Sequence, residues 1–322
     1  MFKELEIEGN ANRRKTMDYK LTYFTSTYNR EDLLPNLYNS LLRQTNKNFI
    51  WLIVDDGSKD KTPELVAKWQ KENKLNIEYI YKENGGKNSA MEIAFAKCST
   101  DYVCIVDSDD YVSEDSTEVI YKYIPMCGEN VVGMVGRRAH YDGKPFNDSW
   151  PKNEEELYFR DLKEKYGYSQ DTNLIFKTNI IKNFHFPKIE GERFITESVF
   201  YNQFLNDYKL LAIPECIYLA EYQEVGYTSQ GINLFFKNPK GYLYAVKQNH
   251  YYDKKNKKSF KTLVHGAAIY YAWKSVLKLK DKFKNDYKIK FPYNLFGWGA
   301  QILLIPSLHK KYKQFKKNEK DK

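Results

Sequence analysis

The chain is poor in the features that mark a secreted, metal-stapled or membrane-spanning protein. Only four cysteines occur in 322 residues, Cys98, Cys104, Cys127 and Cys216. Their spacing matches neither a metal knot nor a paired disulfide framework, so reduced thiols in a cytosolic protein are expected. The opening MFKELEIEGNANRRKTMDYK has no uncharged apolar core of the kind a signal peptide needs, and export is not expected. The uncharged run 291–308 (FPYNLFGWGAQILLIPSL) is interrupted by Pro292, Asn294, Gln301 and Pro306, which is poor material for a spanning helix. Two readings of it stay open, a core segment or an element lying in the plane of a membrane interface. No G-x-G-x-x-G and no full P-loop spacing is present, so dinucleotide-binding and ATPase readings lose support. There is no internal repeat.

What is present is a chain with 42% hydrophobic and 29% charged residues, enough for a real core and too long for one minimal domain. One large domain with an accessory part is the default. Charge divides it unevenly. From residue 251 onward 19 Lys/Arg stand against 5 Asp/Glu, a surplus of +14, while residues 1–250 carry −5. A basic tail of this kind either meets something anionic, a membrane lipid or a nucleic acid, or is simply a solvated helical face.

The first half alternates two periodicities. Short apolar or β-branched runs at 21–25 (LTYFT), 49–54 (FIWLIV), 77–81 (IEYIY) and 102–106 (YVCIV) read as strands. Between them, 31–44, 61–73 and 88–98 read as helices, the second opened by Thr62-Pro63-Glu64 as N-cap, first-position proline and first-turn acid. This alternation predicts an α/β fold with a mostly parallel sheet covered by helices on both faces. Further on, 113–123 and 196–210 read as helices, 131–135 and 211–221 as strands, and the chain from about 240 onward as helical, lysine-rich and aromatic.

In such sheets ligands bind beyond the carboxyl ends of the strands. The first strand runs into Ser26-Thr27-Tyr28-Asn29-Arg30, the second into Asp55-Asp56-Gly57-Ser58, and the fourth into Asp107-Ser108-Asp109-Asp110. Three carboxylates within four residues repel one another unless a cation or a set of donors compensates. Hard oxygen ligands suit Mg²⁺ or Mn²⁺, which also bridges diphosphate oxygens. Turn and helix-cap duty for 113–123 is the competing reading of the same acids. Asn84-Gly85-Gly86-Lys87-Asn88 adds a cation and a flexible backbone before a helix, where phosphate is favoured.

Taken in order, Thr-Tyr-Asn-Arg, Val-Asp-Asp-Gly-Ser, Asn-Gly-Gly-Lys and Asp-Ser-Asp-Asp resemble the inverting glycosyltransferases of family 2 with the GT-A fold. The likeness is detailed over about residues 20–125 and looser to about 225. It implies a Rossmann-like nucleotide-binding half, a helical C-terminal extension, and a nucleotide-sugar donor, UDP-linked by expectation, with Mn²⁺ or Mg²⁺. By the same resemblance Asp56 accepts from the imide of uracil, with Tyr28 packing near the base and Ser26 in the same turn. Asp107 and Asp109 form the D-x-D pair, Asp109 ligating the metal and Asp107 nearer the ribose or a metal-bound water. Asp110 supports them, and Lys87 stands near the diphosphate. The general base aligns with Glu197 in GERFITESVF, although Thr196 stands where a first acid often precedes it; Glu192 is the fallback, and a first-turn acid favoured by the helix dipole is the bland reading. Trp150, Tyr222 and Tyr227 are conceivable sugar contacts, with core or surface packing as the alternative.

The expected function is a metal-dependent inverting transfer of a sugar to a hydroxyl of a glycan or lipid-linked saccharide in cell-surface polysaccharide synthesis. The expected setting is cytoplasmic, peripheral at the inner face of the membrane through the basic C-terminus. The expected division is an N-terminal extension 1–19, a catalytic domain 20–235 with donor half 20–125 and acceptor half 126–235, and a C-terminal region 236–322. Two alternatives compete. A sugar nucleotidyltransferase would want a glycine-rich basic loop after the first strand, where Ser-Thr-Tyr-Asn-Arg stands. A non-catalytic nucleic-acid binder would use the tail, but no nucleic-acid motif is present and the acids at the sheet edge would repel phosphate backbones; no nucleic-acid partner is expected.

Overall fold

The structure, a computed structural model, describes residues 19–221, 230–279 and 287–320. The expected extension 1–19, apart from Tyr19, and the segment with Tyr222 and Tyr227 lie outside the described residues. Four strands, β1 (Leu21–Thr27), β2 (Phe49–Asp55), β3 (Ile77–Tyr81) and β4 (Tyr102–Ile105), pair in parallel in the order β3-β2-β1-β4. The crossovers are α1 (Leu34–Leu42), α2 (Thr62–Glu72) and α3 (Lys87–Lys97), and α4 (Ser116–Tyr123) follows β4.

Every residue of β2 is buried, because helices cover both faces. Its alternate side chains divide between two cores: Phe49, Trp51 and Ile53 join Leu37 and Leu41 of α1, Trp69 of α2 and Ile120 of α4, while Leu52 and Val54 join Met91, Ala94 and Phe95 of α3. The period of two in the strand thus meets the helical stripes on either side. Asn73 ends α2 in the left-handed region at φ 52°, a conformation asparagine tolerates.

The second half of the sheet is mixed. Beyond β4 lie β8 (Thr172–Lys177), β6 (Val131–Ala139) and β9 (Lys209–Leu219), with β5 (Tyr111–Val112) and β7 (Glu155–Leu157) both on β9. β8 is antiparallel to β4 and β6, whereas β6 and β9 run parallel. The helix read over 196–210 is only α7 (Ser198–Tyr201), after α5 (Phe159–Glu164) and α6 (Thr178–Ile181). Phe204 is buried against Phe176 of β8 and Phe200 against Phe204, and the chain must then turn to enter β9. Asparagines assist the turn: the Asn206 side chain donates to the Asn202 carbonyl.

The C-terminal part is helical: α8 (Ile232–Lys237), α9 (Pro239–Lys255), α10 (Phe260–Val276), α11 (Tyr293–Ala300) and α12 (Ile305–Lys320). They enclose a third core of Phe236, Leu243, Trp273, Leu308 and Phe315. The amphipathic stripe of α12 therefore faces inward and its lysines face out. Among the described residues no helix is long and apolar enough to cross a membrane.

Candidate active site

The carboxyl ends of β1 and β2 are laced into a shelf. Asn29, at φ 51°, donates its N–H to Ser58 Oγ at 2.9 Å and accepts from the Lys59 N–H at 2.8 Å. The Arg30 N–H donates to Thr62 Oγ1 at 3.1 Å, and the Glu31 N–H to Asp60 Oδ2 at 3.0 Å. Ser26 is half-buried on this shelf and the Tyr28 ring is exposed.

The two adjacent acids after β2 have different work. Asp55 accepts from the Ser58 N–H and the Tyr79 hydroxyl, each at 2.7 Å. Asp56 is buried and pairs with Lys82, while the Gly85 and Gly86 N–H groups donate to it at 2.8 and 2.7 Å. Three donors take up most of a carboxylate's acceptor capacity, so Asp56 holds the Gly-Gly turn in place. Gly86 sits at φ +88°, and a Cβ there would lie 1.9 Å from the Arg193 carbonyl oxygen. Only glycine permits that approach.

The Gly86 contact brings a strap, 190–197, across the site. Asn84 accepts from the Arg193 guanidinium at 3.2 Å, and Asn88 Oδ1 from the Ile195 N–H at 3.3 Å. The other side of the strap is tied to the helical part. Asn238 Oδ1 accepts from the Arg193 and Phe194 N–H groups at 3.2 Å. Glu192 accepts from the Lys240 and Gly241 N–H groups at 2.8 and 2.7 Å. Glu192 is thus a cap on α9, and both its oxygens are engaged away from the acid cluster.

At the end of the strap, Glu197 meets Lys87 at the start of α3. The Lys87 ammonium lies 2.6 Å from Asp107 Oδ1 and 2.7 Å from Glu197 Oε1. The Tyr201 hydroxyl donates to Glu197 Oε2 at 2.9 Å. Burial opposes the charge on Lys87, but the Asp107 and Glu197 carboxylates outweigh it and raise its pKa. Burial likewise pushes the Asp107 carboxyl up, and Lys87 and Arg138 outweigh it and hold it below its ordinary value.

In the other two acids burial and the neighbouring charge outweigh the cations beside them. Asp109 has Arg30 at 4.0 Å, and burial together with the Asp107 charge raises its pKa. Asp110 is pushed up to about 7 by burial and by Asp107, against Arg138 and the Tyr218 hydroxyl that donates to it at 2.7 Å. Arg138 stands 3.9 Å from Asp107 and 3.6 Å from Asp110, its guanidinium 4.5 Å from the Tyr218 ring centroid.

Of the residues expected from the sequence, Lys87, Asp107 and Glu197 are joined directly, with Asp109 beside Asp107 in the same turn. Ser26, Tyr28 and Asp56 lie on the adjoining shelf. Trp150 belongs to the core, its indole N–H donating to the Ile213 carbonyl at 2.8 Å. Lys82, Arg138, Tyr201 and Tyr218 are additions that sequence reading missed. The signal for Arg138 was an arginine pair just past the strand candidate 131–135; the two tyrosines stood among 28 with nothing to single them out.

The sequence model of "Glycosyl transferase family 2" matches residues 22–189, which contain the shelf, the Gly-Gly turn and all three clustered acids. The chain belongs to glycosyl transferase family 2. Glycosyltransferase GlyA of Streptococcus pneumoniae is 36% identical to the family 2 chain over 108 residues, 34% of this chain and only 15% of the GlyA length. TarS 1–349 of S. aureus, solved in complex with UDP-GlcNAc, superposes with a TM-score of 0.60 at 20% identity, covering 91% of this chain and 83% of that one. Mannosyltransferase PcManGT of Pyrobaculum calidifontis, solved with GDP-Man and Mn²⁺, superposes with a TM-score of 0.51 at 16% identity, covering 92% and 84%. These superpositions show the GT-A fold in this chain, whose mostly parallel sheet is flanked by helices and followed by a helical C-terminal part.

Proposed function

We propose that this chain transfers a sugar from a UDP-linked donor to a hydroxyl of a glycan or lipid-linked saccharide, with inversion and with a divalent cation, in cell-surface polysaccharide synthesis. The supporting observation is the meeting of Lys87, Asp107 and Glu197 from three separate chain segments at the carboxyl edge of the sheet. The UDP-GlcNAc bound by the TarS relative favours uracil as the base. Residues 20–235 would be the catalytic unit, 20–125 taking the donor and 126–235 the acceptor, with 236–322 as an extension.

Tyr28 and Ser26 would flank the base, and Asp56 would offer it its remaining acceptor site. The donor set fits a divalent cation, because Asp109 and Asp107 are hard oxygen ligands and Arg30, 4.0 Å from Asp109, does not offset the burial and the Asp107 charge that raise its pKa. Among the described residues no three protein ligands converge on one point, which suits a cation completed by substrate phosphates rather than an all-protein cage. Mn²⁺ or Mg²⁺ held there would supply charge neutralisation for the departing diphosphate. Lys87 would add a second positive charge near it. Glu197 would take the acceptor hydroxyl proton as that oxygen bonds to the anomeric carbon. The bond from this carbon to the diphosphate oxygen breaks, and its electron pair leaves with UDP.

The test is a donor screen with Mn²⁺ that reads released UDP or GDP together with donor binding by calorimetry. Asp109→Ala is expected to weaken donor binding at least about tenfold and turnover with it. Glu197→Gln is expected to keep donor binding and lower transfer by about 10²–10⁴-fold. Full transfer by Glu197→Gln would remove the base assignment.

A further inference from the structure

We propose that the surface formed by residues 291–303, together with Phe260, docks this protein on an anionic lipid bilayer. The inference is independent of the transfer reaction. Its first ground is exposure: Phe291, Trp298, Ile302 and Leu303 are 74%, 61%, 66% and 83% exposed. Leu295 and Phe296 are more than half exposed as well. Soluble surfaces scatter large apolar side chains singly, whereas a contiguous group marks a contact surface.

The group is contiguous by construction. At 100° per residue, Leu295, Phe296 and Trp298 of α11 fall within about 160° of arc, and the 3-10 turn Gln301–Leu303 that follows the helix adds the exposed Ile302 and Leu303. The opposite side of α11 is the packed one. Gly297 of α11 and Gln301 of the turn after it are buried, and a Cβ at Gly297 would lie 2.3 Å from the Ala267 Cβ. α10 therefore holds α11 by its back and turns the apolar side outward. Phe260 extends that side, its ring 5.4 Å from Phe296 and 5.6 Å from Tyr293.

The second ground is charge, and it decides the occupant. No acidic residue occurs in 287–318. Lys288 and Lys290 precede the apolar side and Lys310, Lys311 and Lys313 follow it, all exposed. Phenylalanine and tryptophan flanked by lysines suit the boundary of acyl chains and anionic headgroups. A second copy seated on the same face would bring the same lysines together, so like charges oppose self-association there. The basic tail thereby divides its work: α12 turns its apolar stripe into the third core, and the segment before it supplies the exposed apolar surface.

The experiment is co-sedimentation of the whole chain with vesicles of phosphatidylcholine alone or with phosphatidylglycerol added, alongside light scattering for oligomeric state. The parent chain is expected to partition onto the phosphatidylglycerol vesicles and to be released by salt. The double variant Phe296→Ser, Trp298→Ser is expected to lose at least about tenfold in partitioning with an unchanged melting temperature, since both side chains are exposed. A charge variant, Lys288→Glu with Lys290→Glu, is expected to lose binding while keeping the apolar side. Failure of the parent to bind anionic vesicles, equal binding to phosphatidylcholine alone, or undiminished binding by the double variant would each overturn the proposal. An oligomer of the parent that the double variant dissolves would also overturn it, in favour of a second copy.

Discussion

Lys87 is one cation between two carboxylates, so its removal leaves Asp107 and Glu197 facing each other at short range. Lys87→Met is expected to lower stability by about 2 kcal/mol, measured by urea unfolding, because two partly buried anions lose their shared donor. Adding Asp107→Asn should recover part of that loss, since groups in one ion-pair network are not additive. Gly86→Ala should cost about 3 kcal/mol or more, because its Cβ would overlap the Arg193 carbonyl and its φ is positive. Asp107 was legible in the sequence because it sits in an acidic run at a strand end, and Gly86 and Lys87 because they stand at the entry to a helix, whereas Glu197 was reached only through the family resemblance. Arg138 and Tyr218 were not legible: they meet Asp107 and Asp110 only through the register of β6 on β9, where Arg138 lies opposite Tyr218. Side chains that act as partners across 108 residues of chain, as Tyr218 and Asp110 do, leave no local pattern.

Elements carry a second set of expectations. Glu192 caps α9 through two backbone N–H groups, so Glu192→Ala should cost about 1–2 kcal/mol in a thermal melt while transfer by the folded enzyme continues. Loss of transfer comparable to that of Glu197→Gln would return Glu192 to the reaction. β1 to β4 and α1 to α3 were readable because apolar spacing of two and of three to four alternates cleanly there. The helix foreseen over 196–210 fails because buried aromatics and the entry into β9 override local spacing. β5 and β7, of two and three residues, are too short to leave a period, and β8 (TNLIFK) carries Asn173 and Lys177 among its apolar residues.

At the scale of the molecule, acidity acts with opposite signs on a buried histidine of the helical part and on an acid at the sheet edge. His250 is buried near the α10 backbone and Tyr293, with Nδ1 unpartnered among the described residues. Burial, aided by Lys254, lowers its pKa from the usual 6.5 despite a backbone hydrogen bond that opposes the shift. The folded state then binds this proton less readily than the unfolded chain, so stability is full above about pH 6.5 and falls as pH drops below it, by at most about 1.4 kcal/mol per pH unit. Asp110, raised to about 7, gains stability as pH falls over the same range, so the His250 contribution is read as the difference between parent and His250→Gln: from pH 8 to pH 5 the parent's melting temperature should fall relative to the variant's. An identical slope in the variant would assign the decline elsewhere.

The strap 190–197 gives the two ends of the protein a common fate. It is pinned to the β3–α3 connection and the first turn of α3 at Asn84, Gly86 and Asn88 and to the helical part at Asn238, Lys240 and Gly241, and it delivers Glu197 to Lys87. The C-terminal helices are therefore no detachable module. A chimera that borrowed them from another relative would inherit a slack hinge beside Lys87 and Asp107 unless residues 190–197 were exchanged with them.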